Sequence, residues 1–365
     1  MEIRIQRKEL SEGLNKVNKA ITGKVGNPIL DKVNMVAENN SLKLTGSDSN
    51  LTIISTTTEV QVVEPGNISV EPRILGEILR RLPEEEVHIK TTENTVKIKC
   101  LKSDFSIIYN ESDVYPTIEI SNEGEELELK ETELRNMVKS VSFAAANDEA
   151  RPILKGIYFE VSEGFMNFVA LDGYRLAKKS VQTEIDKDVK AVVEAKSFME
   201  ATRLMNDSNE VVKIKVTQNH IVFTFGQTIV MSRLLEGNYV NYKSLIRTEF
   251  SLKVKMNRSD IIDSLERASL MSENGNKLAK LTIGANEINI SAKSQLGQVV
   301  EDLPIETDGD ASLTIAFNAK YLLDALKAIE DVDVVFELSS PVSPCVIKGT
   351  EDITGEYLVL PVRLV

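Results

Sequence analysis

The sequence predicts an α+β fold built as three tandem repeats, each with two helices packed on antiparallel sheet. Three observations carry that reading. Amphipathic segments at Lys8–Ala20, Thr132–Ala144 and Ser259–Met271 superpose their apolar positions at successive offsets of 124 and 127 residues. A second set at Glu71–Leu82, Glu194–Met205 and Asn318–Ile329 superposes at offsets of 123 and 124. Between the two sets the apolar period switches to two, the mark of strands.

In the first set, Leu10, Leu14 and Val17 match Leu134, Val138 and Val141, then Ile261, Leu265 and Ala268. That i, i+4, i+7 spacing is one helical face. In the second set, Leu75, Ile78 and Leu82 match Phe198, Ala201 and Met205, then Leu322, Ala325 and Ile329. Ser41–Asp48, Phe165–Asp172 and Glu287–Ser294 alternate and run into turns, so each reads as a strand. After each second helix come paired strands, Glu86–Leu101, Val211–Gly226 and Asp333–Gly349, the first two with polar Thr-Glu-Asn and Thr-Gln-Asn tips. Leu30, Leu154 and Leu278 recur at a spacing of 124, as do Tyr115 and Tyr239. The repeats divide near Ser121–Glu126 and Ile246–Ser251, giving domains at 1–122, 123–247 and 248–365. About 120 residues suffice for a repeat to hold its own core.

The 365 residues are 42% hydrophobic and 27% charged, ordinary for a soluble protein. No apolar run approaches the ~18 residues of a membrane span, and the first residues alternate without a signal-peptide pattern. A cytoplasmic protein is expected. Cys100 and Cys345 form no CxxC and are expected reduced and largely buried. His88 and His220, the two histidines, lie in strand-like runs, so a metal site is not expected. Thr22–Pro28 holds a Gly-Lys pair but lacks the rest of a phosphate-binding loop, and no hydrolase, zinc-protease or dinucleotide motif occurs. The acidic clusters at Pro83–Val87 and Glu330–Val334 read as solvated loops. No catalytic residue, metal or cofactor is assigned.

Net charge is −13, which by itself disfavours an open nucleic-acid surface. Its distribution is uneven. Counted over Arg7–Ala20, Glu71–Leu82, Lys130–Ala146, Glu194–Met205, Arg258–Met271 and Lys320–Ile329, the helices hold 16 basic and 12 acidic residues, a balance of +4, which leaves −17 for the remainder. The second helices carry basic residues seven apart: Arg73 and Arg80, Lys196 and Arg203, Lys320 and Lys327. Two helical turns separate the members of each pair, so they share a face. One such pair is an ordinary solvated face. Recurrence in all three repeats favours a surface turned toward a polyanion. A three-domain scaffold that binds proteins without surrounding DNA is the competing reading.

Five stretches then carry a resemblance over the whole length: Pro28–Leu30 (PIL), Leu44–Asp48 (LTGSD), Asp172–Ala177 (DGYRLA), Ser232–Tyr242 (SRLLEGNYVNY) and the ending LVLPVRLV. The chain resembles the bacterial sliding clamp family, the beta subunit of DNA polymerase III. The resemblance implies a head-to-tail homodimer of the clamp fold, closed as a six-domain ring with its helices lining the hole. It implies double-stranded DNA inside the ring, a replicative polymerase subunit and other clamp-binding proteins tethered to it, and a loader ATPase that opens it. The clamp itself catalyses nothing.

Family DNA contacts carry over to Lys24, Arg73 and Lys196, and the repeat extends them to Arg80, Arg203 and Lys320. Asn147 and Arg151 are candidates in the acidic loop that ends at Pro152 and Ile153. The resemblance also implies a pocket for short hydrophobic peptides. Its walls would be Leu154, Leu171, Gly173, Tyr174, Arg175 and Leu176, then Val240 and Leu245, then Val342, Ser343 and Pro344. Leu358, Leu360, Pro361, Val362, Arg363 and Leu364 complete it. Val240 stands where many members have proline, and Leu171 where they have threonine. The hydrophobic ending is thus read as a core strand followed by a docking lip.

Overall fold

The computed structural model describes residues 1–23, 26–109, 115–206, 208–271, 277–295, 297–309 and 312–363. Among the described residues six α-helices form where the periodicity predicts them: α1 (Arg7–Val17), α2 (Pro72–Arg81), α3 (Glu131–Val141), α4 (Ala195–Leu204), α5 (Arg258–Leu270) and α6 (Ala319–Ala328). The first-set stripes are buried in all three repeats, with Leu10, Val17, Leu134, Val141, Ile261 and Leu265 at 0% exposure. Their starts follow local chemistry. Asn257 and Asn318 cap α5 and α6 through side-chain oxygens that accept backbone N–H groups, while Pro72 opens α2 with its preset φ. α1 and α3 tighten at their ends into 3₁₀ turns, Asn18–Ala20 and Ser142–Ala144.

One expectation shifts by a residue. The buried stripe of α2 is Leu75, Leu79 and Leu82, whereas Ile78 is half-buried. An i, i+4, i+7 stripe places Leu79 under the helix and turns Ile78 to its flank.

α1 lies directly on its sheet at Gly46. A Cβ there would sit 2.3 Å from the Val17 carbonyl oxygen, so only glycine permits this approach.

The described strands form four antiparallel sheets. A five-stranded sheet runs in the order Val60–Glu64, Glu2–Gln6, Glu86–Thr92, Thr95–Cys100, Ser103–Ile108. An eight-stranded sheet runs Glu125–Lys130, Val211–Val216, His220–Phe225, Thr228–Arg233, Leu51–Thr57, Ser41–Ser47, Val33–Glu38, Gly66–Val70. A nine-stranded sheet runs Val189–Glu194, Gly156–Ser162, Phe165–Leu171, Arg175–Gln182, Gly355–Val359, Cys345–Gly349, Asp333–Leu338, Leu252–Asn257, Glu306–Gly309. The last has four strands: Gly297–Pro304, Glu287–Ser294, Leu278–Ile283 and Leu313–Asn318.

The two large sheets cross repeat boundaries. Thr228–Ser232 pairs with Leu51–Ser55, and Arg175–Lys179 pairs with Gly355–Val359. The chain accordingly packs as two compact units that share the middle repeat: Met1–Leu134 with Lys196–Leu234, and Arg135–Ala195 with Leu235–Val365.

In the second unit an ion-pair ladder reinforces the joint. Lys178 meets Glu356 at 2.8 Å, and Glu356 meets Lys348 at 3.2 Å. Lys348 then meets Glu337 at 3.2 Å, and Glu337 meets Lys253 at 3.1 Å. Burial raises the Glu356 carboxyl pKa, but the hydrogen bond and charge of Lys178, with Lys348 behind it, hold it below its ordinary value.

Cys100 and Cys345 are free and buried. Leu101 sits at the tip of the Thr95–Ile108 hairpin with φ of 48°, and it is 76% exposed. An exposed leucine in a left-handed conformation gains little packing for its strain. Leu101→Gly is therefore expected to raise stability by up to about 1 kcal/mol, read as a higher midpoint of the first thermal transition.

Candidate functional site

The second unit contains a cavity built around one turn. Asp172 follows the Phe165–Leu171 strand, and its Oδ1 accepts the backbone N–H of Tyr174 at 2.8 Å and of Arg175 at 3.0 Å. Gly173 takes φ of +93°, which glycine supplies without cost. The turn throws Tyr174 outward to 61% exposure, where its ring stacks on Tyr321 of α6 at 6.2 Å between centroids. The chain's final strand, Gly355–Val359, lies beside the strand that follows this turn. Beyond it the Leu360 N–H donates to the Tyr174 carbonyl at 2.9 Å, and the Val362 N–H to the Ala316 carbonyl at 2.7 Å. Leu360, Pro361 and Val362 thereby close a cavity of about 560 Å³ whose other walls are Tyr174, Tyr321, Leu278, Asn318 and Lys277.

The other expected pocket residues divide by depth. Leu154, Leu171, Leu176 and Leu358 pack with Val169, Val346, Ala146 and Tyr242 in a closed apolar cluster. Val240, Leu245 and Val342 are exposed apolar side chains. Ser343 is buried, its hydroxyl 2.7 Å from that of Ser340 and 3.4 Å from Arg247 Nη1. Pro344 is half-buried and Arg363 exposed, while Leu364 lies outside the described residues. Arg175 differs most from a wall residue: it is 7% exposed and engaged on every side beneath the turn. Sequence reasoning missed Tyr321 and Asn318 as lining residues and named Leu278 only for its spacing. Tyr321 is the one aromatic residue in the Asn318–Ile329 segment, which is the signal that marks it.

The segment carrying Val240 and Leu245 is pinned by tyrosines. Tyr239 stacks on Tyr158 at 5.1 Å with rings 7° from parallel. The Tyr242 hydroxyl donates to Glu160 at 2.9 Å, Ser162 donates to the same carboxylate at 2.9 Å, and Lys243 stands 3.4 Å away. Burial raises the Glu160 pKa, yet the hydrogen bonds from Tyr242 and Ser162 and the Lys243 charge together hold it below the ordinary value. Burial pushes both the Tyr239 and the Tyr242 hydroxyls up, so they remain neutral donors.

The basic helix pairs resolve into two kinds of residue. Arg80 is paired with Glu77 at 2.6 Å, Arg203 with Glu200 at 2.7 Å, and Lys327 with Glu266 at 2.6 Å. Arg73, Lys196 and Lys320 are exposed, and among the described residues no carboxylate pairs with them. Each is the second residue of its helix, α2, α4 or α6. A cation there opposes the positive end of the helix dipole, so stability does not favour it. An anion held by a helix N-terminus does.

Asn147 is exposed; Arg151 is exposed too, but its Nη2 donates to the Asp172 carbonyl at 3.0 Å, beside the cavity turn. Lys24 lies outside the described residues. Those described contain no cluster of three metal-ligating side chains, and no helix long and apolar enough to cross a membrane.

Residues 1–119, 128–241 and 243–363 match the N-terminal, central and C-terminal domains of the DNA polymerase III beta subunit. The chain is 30% identical over its full length to the beta sliding clamp of Bacillus subtilis, covering all of that protein. It is equally 30% identical to a Staphylococcus epidermidis beta sliding clamp, of which it covers 99%. The crystal structure of the Bacillus subtilis DNA polymerase sliding clamp superposes with a TM-score of 0.96 over 100% of both chains at 30% identity. That of the Pseudomonas aeruginosa clamp bound to griselimycin gives 0.95 at 28% identity, again over 100% of both. Fold and matches define the class as a DNA sliding clamp. Within it, the chain belongs to the DNA polymerase III beta subunit family.

The Glu160 pin generates a testable expectation. Stability from this carboxylate is complete above its unfolded-state pKa and is lost as pH falls through the lower folded-state value. Tyr242→Phe is expected to cost about 1–3 kcal/mol near neutrality, and Glu160→Gln to flatten the acid limb of thermal midpoint against pH.

Proposed function

We propose that two copies join head to tail into a closed six-domain ring around duplex DNA, with domains at 1–122, 123–247 and 248–365. The observation that carries this is the pattern of sheet edges. At the two internal joints, Thr228–Arg233 pairs with Leu51–Thr57, and Gly355–Val359 pairs with Arg175–Gln182. By the repeat, Ser103–Ile108 is the counterpart of Thr228–Arg233, and Gly297–Pro304 the counterpart of Arg175–Gln182. Among the described strands, both counterparts end their sheets with that edge open. The first presents Phe105 and Ile108 at 38% and 85% exposure, and the second Val300 at 56%. An open edge with apolar side chains seeks a partner strand, and the Gly297–Pro304 edge of a second copy supplies the one that the internal joints use.

Arg73, Lys196 and Lys320, helped by Lys24, meet phosphates of the encircled duplex without reading bases. Arg80 and Arg203, each held by an acid, contribute less. Asn147 and Arg151, the latter bonded to the docking turn, would touch DNA only at the ring's margin. The ring retains DNA by topology, so a net charge of −13 is tolerable and leaves the contact loose enough to slide. The replicative polymerase subunit, the loader ATPase and other clamp-binding proteins dock short hydrophobic peptides into the cavity closed by Leu360–Val362. An apolar floor with a few polar groups at its rim is the usual form of such a groove. The protein acts in the cytoplasm as a tether that raises its partners' effective concentration, without chemistry of its own.

Light scattering after size exclusion is expected to give twice the 40.6 kDa chain mass. Ile108→Asp is expected to give the single-chain mass. After loading, the protein is expected to stay on closed circular duplex and leave linear duplex from its ends; equal residence on both would refute encirclement. Reversing the charge of Arg73, Lys196 and Lys320 together is expected to leave the dimer mass unchanged. The same change should abolish polymerase stimulation, and lower the salt slope of DNA binding by roughly three in log–log terms.

A further inference from the structure

Arg175 is buried at 7% exposure, yet every arm of its guanidinium is engaged. Nε donates to Asp172 Oδ2 at 3.1 Å, Nη1 to Asp324 Oδ2 at 2.5 Å, and Nη2 to the Phe143 carbonyl at 2.6 Å. Its flat faces are used as well: the guanidinium carbon lies 4.6 Å from the Tyr321 ring centroid and 5.3 Å from that of Phe143. These partners come from three elements of one compact unit. Asp172 belongs to the turn that presents Tyr174, Tyr321 and Asp324 to α6, and Phe143 to the 3₁₀ turn after α3.

The consequence lies at the cavity wall. Tyr174 and Tyr321 stack on each other and both line the cavity. Tyr174 is set by Asp172, whose Oδ1 holds its N–H while Oδ2 holds Arg175. Tyr321 is set by the cation against its ring and by Asp324, one helical turn along α6, on the same guanidinium. We propose that Arg175 is a positioning residue for peptide docking: it touches no peptide but locks Tyr174 and Tyr321 into one wall. This rests on reading the cavity as the docking site. The planar fork is essential, because an ammonium is a point charge that cannot reach two carboxylates and a carbonyl while lying flat on a ring. Removing it would also leave Asp172 and Asp324 unneutralised beside the cavity.

The chain has no tryptophan, so a short peptide with leucine and tryptophan anchors reports binding through its own emission. The wall is read separately by ¹⁹F NMR of 3-fluorotyrosine protein, with Tyr321→Phe assigning one of the 8 tyrosine lines. Arg175→Lys is expected to weaken the peptide about tenfold or more, and to shift or broaden the Tyr321 line in the peptide-free protein. Asp324→Asn, which keeps an acceptor for Arg175, is expected to stay within about threefold of the parent, and Asp324→Ala to behave like Arg175→Lys. These Asp324 variants keep the test open should the arginine variant fold poorly.

Weaker binding with an unmoved Tyr321 line would make Arg175 a direct peptide contact and overturn the proposal, as would unchanged binding in Arg175→Lys and Asp324→Ala. No binding to the parent protein, with the Tyr321 line still displaced in Arg175→Lys, would instead refute the docking reading while leaving the strut intact.

Discussion

A strand at the edge of a sheet presents backbone donors and acceptors that need partners, and that requirement organises this molecule. Thr228–Arg233 and Leu51–Thr57 satisfy each other, as do Arg175–Gln182 and Gly355–Val359. Those two pairings turn three repeats into two continuous sheets and explain why compactness cuts through the middle repeat. They also position function. The second pairing brings the end of the chain beside Tyr174, so a junction between repeats becomes a cavity wall.

Electrostatics at the site show where stability and function part. Most exposed cations on the helices are paired with an acid. Arg73, Lys196 and Lys320 stand at helix starts without such a pairing among the described residues, against the dipole. Their recurrence at one position in three diverged repeats is what the proposed phosphate contacts rest on. Arg175 is the opposite case. A buried guanidinium with two carboxylates, a carbonyl and two rings is fully compensated, and it ties the Tyr174 turn to α6.

The repeat, the six helices and the alternating strands were legible because each is written in local periodicity. Leu79 shows the limit: two adjacent apolar residues, Ile78 and Leu79, competed for the stripe, and only helical phase against the sheet decided between them. The pocket residues were named by resemblance, but their depths were not, because burial depends on what other elements lay over them. Arg175 read as a wall although Asp324 and Phe143 bury it. Tyr321 was missed because nothing in its own segment says that Tyr174, 147 residues away, stacks on it. Likewise, the neutralising partners of Arg80 and Arg203 could be read from i, i+3 spacing, whereas Glu266 beside Lys327 could not.

The open edges have a consequence in geometry. A head-to-tail contact is heterologous, and its repetition yields either a closed ring or an endless filament. If the joint between copies imitates the joints within a chain, the curvature of the assembly is already encoded inside each protomer. A two-chain ring needs about one sixth of a turn per repeat. A change in the strand register at Thr228–Ser232 against Leu51–Ser55 would then decide between closure and polymerisation without touching the surface where two copies meet.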